Sequence, residues 1–268
     1  MKVHDCIQGT RPWLDLRAGV PTSSEFDRIT SCHQIREAIK RIEKGITDKP
    51  VKLLEGSETY MNELLAERML REPQTKAVTM WMQRGSEHEA EAVSYYEMAR
   101  GVDTDVVGFC TNDEGTIGAS PDRLVGEDGL LEIKVPCPAI HVGYLRSAEG
   151  AGDDYRIQAM GQLWITGRQW VDIMSYNPGM PEALVRFERD EVFIGMLASA
   201  VTEFSARLEA HTAKFRELGW IKDPEPEQIE DYDGHGITDE DAAFVIAQVE
   251  AECAERDALL AAIKKELS

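Results

Sequence analysis

The chain has 268 residues, of which 43% are hydrophobic, and its 49 acidic and 29 basic side chains give a formal net charge of −20. This composition fits one large globular domain, or a domain with a small appendage. The sequence contains no run of about 18 apolar residues and no signal-peptide pattern, which argues against a membrane-spanning or secreted protein and predicts a cytoplasmic one. Its five cysteines are scattered without a C-x-x-C pair, which argues against a disulfide framework or a structural zinc site.

The charge is distributed unevenly along the chain. Residues 221–268 hold 14 acidic and four basic side chains, so half of the net negative charge lies in this terminal segment. Residues 11–52 are locally basic by contrast. That basic segment suits an anion-binding surface or an ordinary solvated face of mixed charge, and composition alone favours neither.

Hydrophobic spacing and capping residues predict the elements in chain order. Helices are expected from Thr22, over 57–70 and, after Gly85, over 86–100. Strands follow over 105–110, 116–119 and 130–135, then a helix over 154–166, strands over 171–176 and 183–189, and a helix over 190–218. A Pro-rich acidic linker over 223–236 precedes a last helix over 238–268. This order predicts an α/β (α+β) fold, with a mixed central β-sheet flanked by helices in domain 1–220 and an acidic linker with a C-terminal helix in 221–268.

The segments Pro121-Asp122 and Glu132-Ile133-Lys134 carry the most chemical information. Because alternate residues of a strand share a face, Glu132 and Lys134 point to one side, while their apolar neighbours point to the other side, towards a core. The strand therefore places a carboxylate beside an ammonium group.

The turn between these strands decides where Asp122 lies. A two-residue loop ending at Gly129 would put Asp122 opposite Val135, on the other face. A three-residue loop over 127–129, with Gly129 in the left-handed conformation, pairs Asp122 with Lys134. We favour the three-residue loop, which brings both carboxylates and the lysine to one face at a sheet edge.

Neighbouring carboxylates such as Asp122 and Glu132 repel each other unless a cation lies between them. Their oxygen atoms suit Mg²⁺ or Mn²⁺, and such an ion can polarise a phosphodiester while a lysine neutralises charge or positions water. The pattern is short, however, and a surface salt bridge on an exposed strand contains the same residues.

Glu89 is a further candidate on the helix predicted after Gly85. It is aligned with Ala92, Val93 and Tyr96, which are expected to be buried, and a buried carboxylate needs a metal or a cation such as Lys134 as its partner. The alternative places Glu89 at the solvent edge of this stripe.

Five blocks occur in a consistent order along the chain, and they include both segments described above. They are TRPWLDLRAGVPTSSE (10–25), RGSEHE (84–89), ASPDR (119–123), LEIKVP (131–136) and YRIQAMGQLW (155–164). Together they resemble the lambda exonuclease, or YqaJ-type viral recombinase, branch of the PD-(D/E)xK nucleases over about residues 10–220. The resemblance implies the restriction-endonuclease-like core of that superfamily.

The resemblance also implies roles for the carboxylates and the lysine. Asp122, Glu132 and the Ile133 carbonyl would bind metal, and Glu89 would help to hold the second of two Mg²⁺ ions, which Mn²⁺ can replace. Lys134 would orient or deprotonate the attacking water.

Three further residues match positions with known roles in the family. Gln158 matches its active-site glutamine, while Arg17 and Ser24 match residues that contact a terminal 5′-phosphate. The family degrades one strand of linear double-stranded DNA from its 5′ end to mononucleotides, and it leaves a 3′ single-stranded tail for an annealing protein. The resemblance therefore implies a phage- or prophage-encoded exonuclease that acts in bacterial cytoplasm, forms a homo-oligomeric ring, most often a trimer, and serves recombination.

Two alternative functions are weighed against this one. A non-catalytic DNA-end-binding recombination scaffold has no need for clustered carboxylates, and a related RecB-like or Cas4-like nuclease in its iron–sulfur form would need a cysteine cluster, which the sequence lacks. The terminal segment 221–268 would pack on its own subunit, support a ring or bind a partner.

Overall fold

The computed structural model describes residues 1–46, 51–73, 80–147 and 151–222. The elements in these residues are, in chain order, β1 (Lys2–His4), α1 (Arg11–Arg17), a 3₁₀ helix (Ser23–Arg28), α2 (Cys32–Glu43), α3 (Ser57–Leu70), α4 (Met80–Arg100), β2 (Thr104–Val106), β3 (Phe109–Thr111), β4 (Gly118–Ala119), β5 (Arg123–Val125), β6 (Gly129–Lys134), α5 (Pro138–Arg146), α6 (Gly152–Thr166), β7 (Trp170–Ser175), β8 (Ala183–Glu188) and α7 (Glu191–Glu217).

The strands form two sheets. A three-stranded antiparallel sheet has the order β1-β3-β4, and a five-stranded sheet has the order β2-β5-β6-β7-β8. In the larger sheet β6 and β7 run parallel and the other neighbours antiparallel, so the sheet is mixed. The predicted mixed sheet flanked by helices is confirmed.

Both faces of the five-stranded sheet are covered by helices. Leu130 and Ile173 belong to a hydrophobic cluster with residues of α6 and α7, whereas Leu131 and Ile133 belong to a second cluster with Tyr96 of α4. Alternation along β6 therefore directs Glu132 and Lys134, on the same face as Leu130, towards α6. A helix packed on this face lies where it can meet the polar side chains at the end of β6.

The register between β5 and β6 corrects the predicted pairing of Asp122. Arg123 lies opposite Leu131, and continuing this antiparallel register places Asp122 opposite Glu132. The predicted pairing of Asp122 with Lys134 is therefore wrong by two residues. Because the shift is even, the three side chains keep the common face that the sequence predicted.

The conformations of two glycines explain the shift. The loop has three residues, 126–128, and Gly126 rather than Gly129 adopts the left-handed conformation, with φ +54°. Gly129 serves packing instead, since a Cβ there would lie 2.1 Å from the Trp170 indole. Arg168 donates hydrogen bonds to the carbonyl oxygens of both glycines, which holds the turn in this register.

Two of the predicted elements differ substantially from the structure. Helix α4 begins at Met80 and not after Gly85 as predicted, so this glycine lies inside a helix. The predicted strand over 105–110 is divided between β2 and β3, which belong to different sheets. Gly108 lies between them, and a Cβ there would be 2.4 Å from the His4 carbonyl oxygen, so the crossing requires a residue without a side chain.

The C-terminal linker and helix predicted for 221–268 lie almost entirely outside the described residues, which end at Lys222. That part of the domain prediction stays a prediction. In the part of the chain that the structure describes, none of the helices has the length and apolarity needed to cross a membrane.

Candidate active site

Glu132 is the centre of a buried hydrogen-bonded cluster at the end of β6. Its side chain is only 5% exposed. The Lys134 ammonium and the Gln158 amide both donate to Oε1, at 2.7 and 2.6 Å, and the Gln162 amide donates to Oε2 at 2.6 Å. Three donors thus fix the orientation of one carboxylate, which no flexible surface ion pair would achieve.

Helix α6 brings the two glutamines to this carboxylate. Gln158 and Gln162 are four residues apart, so they lie on the same face of the helix. Gln158 Oε1 also accepts a hydrogen bond from the Lys134 ammonium at 3.1 Å, which closes a ring of contacts between Gln158, Lys134 and Glu132. The structure therefore brings together three of the predicted site residues and adds Gln162 to them.

Asp122 joins this cluster from the position directly before strand β5. Its Oδ2 accepts the Ile133 N–H at 2.6 Å. Continuing the register places Pro121 opposite Ile133, and a proline has no N–H to donate to the Ile133 carbonyl. Gln8 donates to the Pro121 carbonyl at 2.8 Å instead, so the pairing between the two strands ends there. Asp122 and the Ile133 carbonyl consequently border the same break in the sheet.

The surroundings of the cluster shift the pKa values of Asp122 and Lys134. Burial, and next the neighbouring charge of Glu132, raise the pKa of the Asp122 carboxyl well above its usual value, although Lys134 and the Ile133 N–H act in the opposite direction. Burial lowers the pKa of the Lys134 ammonium, but Glu132 and Asp122 outweigh this and leave its pKa raised. Without a bound cation, the folded protein therefore destabilises the ionised form of Asp122.

Replacing Asp122 by Asn should consequently raise the melting temperature of the protein in the presence of a chelator. The raised folded-state pKa means that wild-type stability falls as the pH rises from about 4 through that pKa, whereas Asn carries no charge and still accepts the Ile133 N–H. At pH 8 we expect the melting temperature of Asp122→Asn to exceed that of the wild type by about 2–4 °C for each kcal/mol of unfolding free energy gained, and at pH 5 by less. Thermal unfolding at both pH values checks this, with Asp128→Asn on the exposed turn as the control.

Glu89 lies at the edge of this cluster. Its side chain is 42% exposed and is 3.4 Å from Nη1 of Arg123, while the same Nη1 donates to the Asp122 carbonyl. Its predicted neighbours on the helix are buried, so the stripe is real and Glu89 occupies its solvent edge. Glu89 therefore lies at the solvent edge of the stripe, which is the second of the two predicted positions. Its cationic partner is Arg123.

Arg17 and Ser24 meet in a second polar pocket. Nη2 of Arg17 lies 3.3 Å from Thr22 Oγ1 and 3.4 Å from Ser24 Oγ, and Nη1 lies 3.2 Å from Ser120 Oγ. The guanidinium stacks on the Trp13 ring, 4.3 Å from its centroid. Three hydroxyl groups thus surround one arginine in an arrangement suited to an anion.

The Arg17 pocket and the carboxylate cluster share one short stretch of chain, which contains Ser120 and Asp122. Ser120, which accepts hydrogen bonds from Arg17 and from the Trp13 indole at 3.0 Å, is two residues before Asp122. Burial leaves the pKa of the Arg17 guanidinium below its usual value, although the charges around it, including that of Glu132, act in the opposite direction. The two sites therefore lie within electrostatic reach of each other.

The sequence matches the model of the YqaJ-like viral recombinase domain over residues 12–169, more than half of the chain. The chain belongs to this family. The residues described above in the carboxylate cluster and in the Arg17 pocket, apart from Gln8, all fall inside the matched range. Among curated proteins, none is significantly similar in sequence to this chain.

Solved structures of exonucleases are similar to this YqaJ-like chain. An alkaline exonuclease (LHK-Exo) from Laribacter hongkongensis has 28% sequence identity and a TM-score of 0.65, with 78% of this chain and 98% of that chain covered. LHK-Exo in complex with dAMP has 28% identity and a TM-score of 0.63, with 80% and 100% covered. A phage related exonuclease from Haemophilus somnus 129PT shares the fold at 14% identity, with a TM-score of 0.57 and 73% and 96% covered. The predicted PD-(D/E)xK fold and the resemblance to the lambda exonuclease type are confirmed.

Three residues of these YqaJ-domain pockets were not singled out as site residues from the sequence. Gln162 has the helical spacing that places it beside Gln158, but the same spacing occurs in any amphipathic helix. Thr22 and Ser120 lie inside matching blocks, yet nothing local indicates that two hydroxyl groups about a hundred residues apart contact one arginine.

Proposed function

We propose that the protein is a metal-dependent exonuclease that degrades one strand of linear double-stranded DNA from 5′ to 3′, releases 5′-mononucleotides and leaves 3′ single-stranded tails. The observation that carries the proposal is the joint position of Asp122, Glu132, Lys134 and Gln158 at the end of β6 in a YqaJ-like domain. A relative with 28% identity is an alkaline exonuclease whose structure includes dAMP, a mononucleotide of the kind such a reaction releases.

The donor set at the break in the sheet fits a divalent cation. Within the described residues, the hydrogen bond to the Asp122 carboxylate reaches Oδ2, so Oδ1 is available as a ligand together with Glu132 Oε2 and the Ile133 carbonyl. Mg²⁺ accepts such a small set of oxygen ligands, because it keeps several waters and substrate phosphate oxygens in its octahedron. A cation there would also counteract burial and the repulsion by Glu132, which together raise the pKa of Asp122.

The second ion of the proposed pair needs an additional carboxylate. Over residues 1–46, 51–73, 80–147 and 151–222, no group of three His, Cys, Asp or Glu side chains is arranged to hold a metal. Glu89 is the nearest candidate, and it would have to exchange Arg123 for the ion. We therefore propose that one ion occupies the Asp122 and Glu132 site, and that a second ion at Glu89 depends on bound DNA.

The residues of the cluster divide the chemical work. A bound divalent cation supplies polarisation of the phosphodiester and acidification of water. Lys134, held by Glu132 and Gln158, places a positive charge where phosphate charge increases in the transition state and orients the attacking water. Gln158, which donates to Glu132, keeps that carboxylate in place. Since Lys134 is a charged donor here, we propose that it orients water rather than removing its proton.

The polarity of digestion would come from the pocket around Arg17. A terminal phosphate carries more negative charge than an internal phosphodiester, and a guanidinium flanked by hydroxyl groups can bind it through several charge-assisted hydrogen bonds. Because this pocket adjoins Asp122 through Ser120, a 5′-phosphate held there would place a nearby phosphodiester at the carboxylates.

End-labelled linear duplex tests the whole proposal. Labelled mononucleotide should appear early from a 5′ label and late from a 3′ label, with Mg²⁺ or Mn²⁺, and a chelator should stop the release. Covalently closed circular duplex is the control and should stay intact. Binding of ends without release would indicate a scaffold, and cleavage of the circle would indicate another kind of nuclease.

Lys134→Ala should lower the rate of release by about 10²–10³-fold and still bind Mg²⁺. The lysine contributes charge and water position, and its removal takes a cation away from the metal ligands, so the affinity for Mg²⁺ should stay equal or increase. Titration calorimetry with Mg²⁺, beside initial rates, checks both parts. If Mg²⁺ affinity collapses together with the rate, the lysine maintains the site instead.

We also propose a homotrimeric ring and an annealing protein as partner. Exposed apolar side chains on α5, Ile140, Val142 and Leu145, are of the kind that such interfaces bury. Native mass spectrometry should give a closed oligomer, with three copies expected, and a strict monomer that digests processively would contradict the ring.

A further inference from the structure

Both backbone polar groups of Gly19 are hydrogen-bonded to side chains of helix α3. The Gly19 N–H donates to Glu67 Oε2 at 2.7 Å, and the Gly19 carbonyl accepts from Arg68 Nε at 2.9 Å. A third contact follows three residues later, where the Thr22 N–H donates to the Tyr60 hydroxyl oxygen at 3.2 Å. Three side chains of one helix thus hold both ends of the short segment 19–22.

These contacts at residue 19 require a glycine. Gly19 has φ +72°, in the left-handed region, and a Cβ there would lie 2.5 Å from Cγ of Arg68. Arg68 is itself anchored on α7, where Nη1 donates to Thr212 Oγ1 at 2.7 Å and Nη2 lies 2.8 Å from Glu209. The Gly19 carbonyl is therefore connected through Arg68 to both α3 and α7.

This segment follows Arg17 closely and carries Thr22, whose hydroxyl is one of the three around the Arg17 guanidinium. The Val20 N–H donates to the Arg17 carbonyl at 3.0 Å, and Thr22 Oγ1 accepts from the guanidinium at 3.3 Å. The side-chain hydrogen bonds of Arg17 within the described residues go to neutral hydroxyl groups at 3.2–3.4 Å, which are long contacts. The position of the guanidinium therefore depends on its backbone and on the stacking against Trp13.

We infer that Glu67, acting together with Arg68 on the backbone of Gly19, is a positioning residue that sets the discrimination between phosphorylated and unphosphorylated 5′ ends. The inference rests on the proposed function, in which Arg17 binds the terminal phosphate. Glu67 touches neither the DNA nor the metal ligands in this account. Its carboxylate fixes the Gly19 N–H, at the start of the segment that leads to Thr22.

Two substitutions at Glu67 distinguish the effect of side-chain length from the effect of side-chain charge. Glu67→Gln keeps the length of the side chain and an acceptor oxygen for the Gly19 N–H, but removes the charge. Glu67→Asp keeps the charge and shortens the side chain by one methylene, so the 2.7 Å contact is lost. Glu58→Asp makes the same change at an exposed glutamate of the same helix and serves as the matched control.

The measured quantity is the ratio of kcat/KM on 5′-phosphorylated and 5′-hydroxyl duplex with Mg²⁺, with thermal unfolding as the check of folding. We expect Glu67→Asp to lower this ratio about tenfold through the phosphorylated substrate, since a misplaced charge-assisted hydrogen bond accounts for such a factor. Glu67→Gln and Glu58→Asp should keep the wild-type ratio.

The other outcomes overturn the inference. If Glu67→Gln loses the ratio and Glu67→Asp keeps it, the charge matters and the position of the peptide does not. If Glu67→Asp slows both substrates equally, the contact is merely structural. A wild-type protein without any preference contradicts the proposed role of Arg17 itself, whereas a preference that Arg17→Ala removes and Glu67→Asp retains contradicts only the role of Glu67.

Discussion

Asp122→Asn should release nucleotides at least about 10³-fold more slowly than the wild-type protein with saturating Mg²⁺, a loss of about 4 kcal/mol in transition-state stabilisation. Asn offers a neutral oxygen where the proposed cation needs a charged one, so the ion and the polarisation it supplies are both weakened. The measurement is the initial rate of mononucleotide release from 5′-phosphorylated linear duplex.

Stability makes this variant informative, because the same substitution should raise the melting temperature without metal. An inactive protein that is more stable than the wild type cannot owe its inactivity to unfolding. Mg²⁺ should raise the melting temperature of the wild type and leave that of Asp122→Asn nearly unchanged, since only a bound ligand stabilises the folded state. Asp128→Asn should behave as the wild type in both assays, and a rate for Asp122→Asn within tenfold of the wild type would remove Asp122 from the proposed metal site.

The central strand and its chemistry could be predicted from the sequence because their signals are local. Alternation in β6 places Glu132 and Lys134 on one face and Leu131 and Ile133 on the other, and the structure has both faces as predicted. The register with Asp122 was predicted two residues away from its position. The sequence predicts Gly129 as the left-handed residue of a 127–129 loop, whereas Gly126 adopts that conformation. Gly129 instead leaves space for the Trp170 indole, which lies 41 residues further along the chain.

Other parts of the site depend on contacts distant in sequence. Glu89 has the helical spacing of a buried residue, yet Arg123 holds it at the solvent edge, and no local pattern indicates that pairing. The hydroxyl groups of Thr22 and Ser120 meet at Arg17 only because α1, the 3₁₀ helix and β4 pack together. Such contacts follow from the fold, so they become visible only when the fold is known.

Arg17→Ala should remove most of the preference for 5′-phosphorylated over 5′-hydroxyl ends, lowering the ratio of initial rates by about 10–100-fold. The guanidinium is the cation among the three hydroxyl groups that surround it, and hydroxyl groups alone bind a dianionic phosphate weakly. The rate on 5′-hydroxyl ends should change little, because the carboxylates and Lys134 stay in place.

The matched control is Arg11→Ala, which removes an arginine from the same helix α1. Arg11 is 62% exposed and pairs with Asp15, so its loss changes the net charge by the same amount without touching the pocket. If both variants lower the ratio equally, general electrostatic attraction of DNA accounts for the preference. If Arg17→Ala keeps the full wild-type ratio, another group binds the terminal phosphate, and the direction of digestion must arise elsewhere on the protein. Loss in Arg17→Ala alone would mean that one guanidinium, held against Trp13 and three hydroxyl groups, selects the end from which digestion starts.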